Sequence, residues 1–170
     1  METLIFLLIV LLGLRPAGAL GAKRFTDWPT CAAYALAAML VLTGTTHFLP
    51  DSLADGPAPT HGDLVPMVPP FVPFPDFMVY LTGVLELLGA LGLVLAGTRR
   101  PAGIGLAALF VTLLPANIYA AVSDTPFNGA PASPLWIRIP EQVLYIAVAL
   151  WAAGLLSSSR DNRAGVAVER

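Results

Sequence analysis

Charge is the first thing this chain lacks. Of its 170 residues only 12% are charged and 56% are hydrophobic, where about 25% charged is usual for a soluble domain. Mean hydropathy is +0.76, too apolar for a water-soluble globule. The net charge is −2 and no basic stripe interrupts the pattern, which argues against a nucleic-acid partner. Cys31 is the only cysteine, so an intramolecular disulfide is impossible and thiol redox chemistry would need a second protein. It reads as a small buried hydrophobe near a helix start. There is no phosphate-cradling glycine loop, no Ser-His-Asp arrangement and no histidine pair at depth for a haem. His47, His61 and Glu86 are scattered, so no metal site is expected. Nothing supports an independent catalytic activity.

What the chain does have is membrane-length apolar runs. A bilayer core of about 30 Å takes roughly 20 apolar residues as helix. Residues 3–20, 29–49, 77–97, 102–122 and 135–156 fit or nearly fit that length. The expected organisation is an N-terminal hydrophobic helix in 1–24, a four-helix membrane bundle in 25–157 with a Pro-rich outer loop at 50–76, and a polar tail at 158–170. Arg15 and Pro16 interrupt the first run, and Ala17-Gly18-Ala19 looks like a signal-peptide cleavage site. The start Met1-Glu2-Thr3 lacks the basic region a signal peptide carries, so a retained helix is favoured.

Charge then orients the spans. Arg15, Lys23 and Arg24 follow the first run, Arg99 and Arg100 join the third and fourth, and Arg160, Arg163 and Arg170 lie in the tail. The alternate loops hold Asp51, Asp55, Asp63, Asp76 and Asp124 without Lys or Arg. Basic loops stay cytoplasmic, so the expectation is an inner-membrane protein with its amino end outside and its carboxyl end inside. Trp28, Trp136 and Trp151 sit near helix ends, as interface anchors do. In the loop, Pro57, Pro59, Pro66, Pro69, Pro70, Pro73 and Pro75 are expected to prevent helix or paired strand. Its apolar second half should either lie at the outer interface or roof the bundle, or else merely wedge between helix ends. His61, in the polar half, is expected to be solvated.

A few polar side chains lie inside the spans: Glu86 in the third, Asn117 in the fourth, and Arg138, Glu141 and Gln142 in the fifth, with His47 near the end of the second. Buried charge in a bilayer costs a few kcal/mol, so such residues normally face protein and often mark a site. Helical spacing groups Gly83, Glu86, Ala90 and Gly97 on one arc, Gly103, Ala107, Phe110, Leu114, Asn117 and Ala121 on another, Arg138, Glu141, Gln142, Tyr145, Ala149 and Ala152 on a third, and Ala33, Ala37, Leu40, Gly44 and His47 on a fourth. One polar cavity in the outer half of the bundle is expected from His47, Glu86, Asn117, Arg138, Glu141 and Gln142, with Arg138 descending to pair with Glu86. Glu86 is read either as a carboxyl that holds helices in register or as a proton-handling or ligand-orienting group. His47 could cap its helix, snorkel to the interface, or bind a head group or quinone carbonyl. Arg138 and Glu141 could form a structural ion pair. Pro115 and Pro140 free the carbonyls of Val111 and Trp136 for Asn117, Gln142 or a water.

Five strings in order, Gly44-Thr45-Thr46-His47-Phe48, Met67-Val68-Pro69-Pro70, Tyr80-Leu81-Thr82-Gly83-Val84-Leu85-Glu86, Pro115-Ala116-Asn117, and Arg138-Ile139-Pro140 followed by Gln142, resemble the DoxX-like family of small bacterial integral membrane proteins. The resemblance covers about residues 28–151. It implies a four-helix membrane bundle, with the leading helix as an extension. Some relatives are subunits of quinone-linked oxidoreductases and others accessory proteins. The resemblance therefore implies a non-catalytic subunit or accessory protein, a membrane oxidoreductase complex as partner, and a quinone as the one cofactor contact. The family pattern has an uncharged residue where Glu141 stands. The intramembrane carboxylate keeps a second expectation open, a small-molecule or proton-coupled transporter using Glu86.

Overall fold

The computed structural model describes residues 2–54, 56–131 and 133–156. Asp55 and the 158–170 tail, with Arg160, Arg163 and Arg170, lie outside the described residues. The described chain is all-helical: α1 (Glu2–Ala19), α2 (Trp28–Thr46), the single turn α3 (His61–Leu64), α4 (Pro75–Val94), α5 (Arg99–Val122) and α6 (Leu135–Ala152). Five of these helices are long and apolar enough to cross a membrane.

The helix starts follow local chemistry. Asp27 caps α2 by accepting from the Thr30 N–H at 2.8 Å, with Pro29 in the first turn where its missing N–H costs nothing. Pro75 opens α4. Among the described residues no continuous helix or paired strand runs through the Pro-rich loop, but it holds single helical turns. The Thr60 N–H donates to Asp63 Oδ2 at 2.8 Å in a capping box that starts α3, and Pro66 is accommodated early in the 3-10 turn Val65–Met67. Proline excludes a continuous helix but not single turns between prolines.

α2 packs on α4 and α6, α5 packs on α4 and α6, and α1 packs on α2. α2 was expected to bury one stripe, yet Thr30, Ala32, Ala35, Leu36 and Met39 are buried together with Ala33, Ala37 and Leu40. α1 is the reason, since its Leu7 and Leu11 cover the outer side of α2. α1 itself buries only Leu7, Leu11 and Gly18, and Gly18 lets it approach the Phe25 backbone, which a Cβ would strike.

The expected arc on α4 holds through Gly83, Glu86 and Ala90; Gly97 lies beyond the helix end. On α5, Gly103, Ala107 and Phe110 are buried, but near the end Ala120 is buried instead of Ala121. Pro115 lies between the two parts, and a proline within a helix removes a backbone bond and bends it.

The two ends of the helices differ in charge. One end carries Lys23, Arg24, Arg99 and Arg100, and the other carries Asp51, Asp63, Asp76 and Asp124. At the basic end Arg99 donates to the Leu93 carbonyl at 3.0 Å and to Thr30 Oγ1 at 2.9 Å, tying α5 to α4 and α2. The polar residues of interest gather toward the acidic end.

Candidate functional site

α2 and α4 meet closely where small residues face large ones: a Cβ on Gly83 would stand 2.5 Å from His47 Cβ. At this crossing His47, which ends α2, bonds through Nδ1 to the Val79 carbonyl at 2.7 Å. A carbonyl only accepts, so Nδ1 carries a proton. Nε2 therefore faces Glu86, 3.9 Å from Oε1. The other carboxyl oxygen of Glu86 accepts from Thr43 Oγ1 at 2.8 Å. Glu86 is 6% exposed and His47 9%, so both groups sit inside protein and neither faces lipid. His47 ties α2 to α4 instead of reaching for an interface.

Against this pair lies a cavity of about 490 Å³. Met78, Thr82 and Glu86 of α4 form one wall and Leu113, Ala116 and Asn117 of α5 another, under a roof of Leu64, Met67, Val68 and Phe71. Its polar side chains are few: His47, Thr82, Glu86, Thr112 and Asn117. Phe71 and Phe74 on the roof segment are 77% and 75% exposed, so this stretch both covers the cavity and presents aromatic rings outward.

A second cavity of about 510 Å³ lies beside it, lined by Arg138, Glu141, Gln142 and Tyr145 of α6, Asn117 of α5, and Glu2 and Thr3 at the start of α1. Asn117, Leu64 and Met67 line both spaces. The six candidate residues are thus at one end of the molecule, but divided between two cavities with Asn117 in the partition.

The expected Glu86–Arg138 pair does not form. Arg138 donates through Nε to the Ser133 carbonyl at 3.0 Å and through Nη1 to Asn117 Oδ1 at 3.3 Å, while Glu141 acts on it electrostatically. Those bonds hold the guanidinium on the α6 side of the partition. Gln142 and Asn117 also serve carbonyls other than the proline-freed ones. Gln142 crosses to the Phe110 carbonyl at 2.7 Å, and Asn117 donates to Leu113 at 3.1 Å.

His61 is packed, not solvated. Its ring stacks on Tyr80 at 4.1 Å, Nδ1 lies 2.9 Å from the His47 carbonyl and Nε2 3.3 Å from Asp76 Oδ1. Sequence reasoning also passed over Thr43, which stands one turn before His47 on the same face. The Asn128-Gly129 pair was a further missed signal. Both residues have positive φ, 50° and 71°, and they close a tight turn between Phe127 and Ala130, the preferred Asn-Gly hairpin chemistry. Asn128 in turn donates to the Pro57 carbonyl at 3.2 Å, joining the two loops above the second cavity. Among the described residues no group of three or more His, Cys, Asp or Glu side chains could hold a metal ion.

No curated protein and no solved structure matches the chain. One family model does, over residues 36–153, from the middle of α2 to the end of α6. That span contains all six candidate residues and leaves α1 outside. Since it covers more than half of the sequence, the chain belongs to the family described as Domain of unknown function (DUF8561).

Proposed function

We propose that this chain is a multi-pass inner-membrane protein of DoxX-like type, and that its His47–Glu86 cavity receives a membrane-dissolved amphiphile with a hydrogen-bonding head. In this reading α2, α4, α5 and α6 form a four-helix transmembrane bundle and α1 is an added spanning helix. The basic end faces the cytoplasm, as the bias of Lys and Arg in cytoplasmic loops requires. The protein acts as a non-catalytic subunit or accessory protein of a quinone-linked oxidoreductase, offering the quinone a protected seat.

One observation carries the reading: a mostly apolar cavity ends on a buried imidazole and carboxyl whose facing atoms stand 3.9 Å apart. That gap exceeds a hydrogen bond, and a hydroxyl oxygen placed between them, as a quinol carries, could donate its proton to Nε2 or to the carboxylate. An apolar cavity with a few convergent polar groups is the usual form of a small-molecule site.

A transporter remains the second reading, favoured by the same buried Glu86 near the middle of α4. Purification from native membranes separates the two. A redox enzyme that co-purifies, together with saturable binding of a short-chain quinone lost in His47→Leu, supports the first. A lone protein with pH-dependent substrate uptake, abolished by Glu86→Gln, overturns it in favour of the second.

A further inference from the structure

At the basic end, two arginines from different segments are fixed on one helix junction. Arg24, in the short turn Lys23–Phe25, donates through Nη1 to the Tyr34 hydroxyl at 2.8 Å. That hydroxyl donates in turn to the Val94 carbonyl at 3.4 Å, and Phe25 packs edge-on against the Tyr34 ring at 5.1 Å. Arg99 bonds the neighbouring Leu93 carbonyl and Thr30 Oγ1. Thr30 and Tyr34 stand one turn apart on α2, and Leu93 and Val94 are consecutive at the end of α4. Both guanidinium groups are therefore held at the same α2–α4 crossing. A guanidinium has five N–H donors. The bonds named use one on Arg24 and two on Arg99, leaving Nη2 of each for a ligand. The charge at this end is also unbalanced. Arg15, Lys23, Arg24, Arg99 and Arg100 lie here with Asp27 as the one acidic residue among the described residues, five positive charges against one negative. Asp27 Oδ1 is engaged at the start of α2, where it accepts from the Thr30 N–H. The sequence beyond 156 adds Arg160, Arg163 and Arg170 against Asp161 and Glu169, which does not reverse the sign.

We infer that this junction binds an anionic phosphate group, with Nη2 of Arg24 and of Arg99 donating to its oxygens. Guanidinium forks match phosphate geometry, and an anion between two like charges relieves their repulsion. The exposed side chains of Leu20, Trp28 and Leu95 adjoin the cluster in sequence. They favour a phosphate that carries acyl chains, the head of an anionic phospholipid, over a soluble phosphate. In the proposed membrane reading, on which only this choice of source rests, the basic end lies against the anionic cytoplasmic leaflet.

The test uses the full chain in detergent, titrated calorimetrically with short-chain phosphatidylglycerol, short-chain phosphatidylcholine and inorganic phosphate. Phosphatidylglycerol should bind saturably and about tenfold or more tighter than phosphatidylcholine, with the difference shrinking at high salt. Arg24 is exposed, so Arg24→Gln spares the helix packing. It should weaken phosphatidylglycerol binding by about tenfold or more, the loss of a charged hydrogen bond. Arg100→Gln removes the same formal charge away from the junction and should weaken binding by no more than about threefold, as an exposed charge does. A preference for phosphatidylglycerol supports the lipid form. Binding of inorganic phosphate that is lost in Arg24→Gln, without that preference, supports the soluble form. Neither lipid preference nor phosphate binding, or indifference to both Arg24→Gln and Arg99→Gln, overturns the inference. So does equal weakening by Arg24→Gln and Arg100→Gln, which would mean diffuse attraction and no site. Quinone titration reads His47 and Glu86 at the opposite end, so failure here would leave that reading standing.

Discussion

His47 Nε2 and Glu86 Oε1 face each other at 3.9 Å across the wall between α2 and α4, and each group is anchored from behind. Val79 holds the imidazole and Thr43 holds the carboxyl. The partner that matters to Glu86 is therefore on α2, not on α6. In a double-mutant cycle, Glu86→Gln and His47→Leu should be non-additive by about 0.5–3 kcal/mol, the range for groups in contact. Glu86→Gln combined with Arg138→Met should be additive. Melting temperatures of the purified variants in nanodiscs check both. Coupling to Arg138 with none to His47 would show that the guanidinium reaches the carboxyl after all.

Arg99 and Arg100 are adjacent in sequence but differ in what they hold. Arg99 bonds the Leu93 carbonyl and Thr30 Oγ1, closing the end of α4 onto the starts of α2 and α5, while Arg100 is exposed. Arg99→Met should destabilise by about 1.5–3 kcal/mol, the range for charged hydrogen bonds. Arg100→Met should stay within about 0.5 kcal/mol, as exposed positions do. Thermal unfolding of the two single variants, compared at one lipid composition, decides this. Equal losses would mean that the Arg99 bonds contribute nothing.

The helices were legible because apolar length is a strong signal, and the inward arc of α4 through Glu86 and Ala90 followed from spacing alone. What spacing could not supply was the direction of a long side chain. Arg138 has reach enough for several partners, and Asn117 together with the Ser133 carbonyl sets its position. The encircled burial of α2 was also hidden, because it depends on α1 docking at Leu7 and Leu11 rather than on any pattern within α2 itself. His61 read as a loop residue because its partners, Tyr80, Asp76 and the His47 carbonyl, come from two distant helices.

Gly83 sets how closely α2 and α4 approach. A Cβ there would meet His47 Cβ at 2.5 Å and the Phe48 ring at 2.9 Å. Gly83→Ala should cost about 1–3 kcal/mol, the usual penalty of overpacking, and should also displace His47 from Val79. Gly105, with nothing within 4 Å of an added Cβ, is the matched control, and Gly105→Ala should be neutral or slightly stabilising through helix propensity. Thermal unfolding reads the cost, and quinone titration reads the displaced imidazole. A Gly83→Ala protein as stable as Gly105→Ala would show that the helices separate without loss.

In the proposed membrane reading, the uneven charge of the two helix ends sets which way the chain crosses the bilayer. Lys23, Arg24, Arg99 and Arg100 gather at one end, and the acidic loops at the other. An insertion machinery that retains basic loops in the cytoplasm would leave the Pro-rich loop outside. Cys31, the one native thiol, is fully buried and supplies little background to a membrane-impermeant maleimide. Ser52 is exposed in the first acidic loop, and Gly97 is exposed at the basic turn between α4 and α5. Ser52→Cys should react in intact spheroplasts, whereas Gly97→Cys should react only after the membrane is opened. Both cavities then face the outer half of the bilayer, since their linings belong to the same end as Ser52. Labelling of both sites from one side would leave no transmembrane pass, or an even number, between 52 and 97. It would thereby remove α4 as a single spanning helix, together with the depth argued for Glu86.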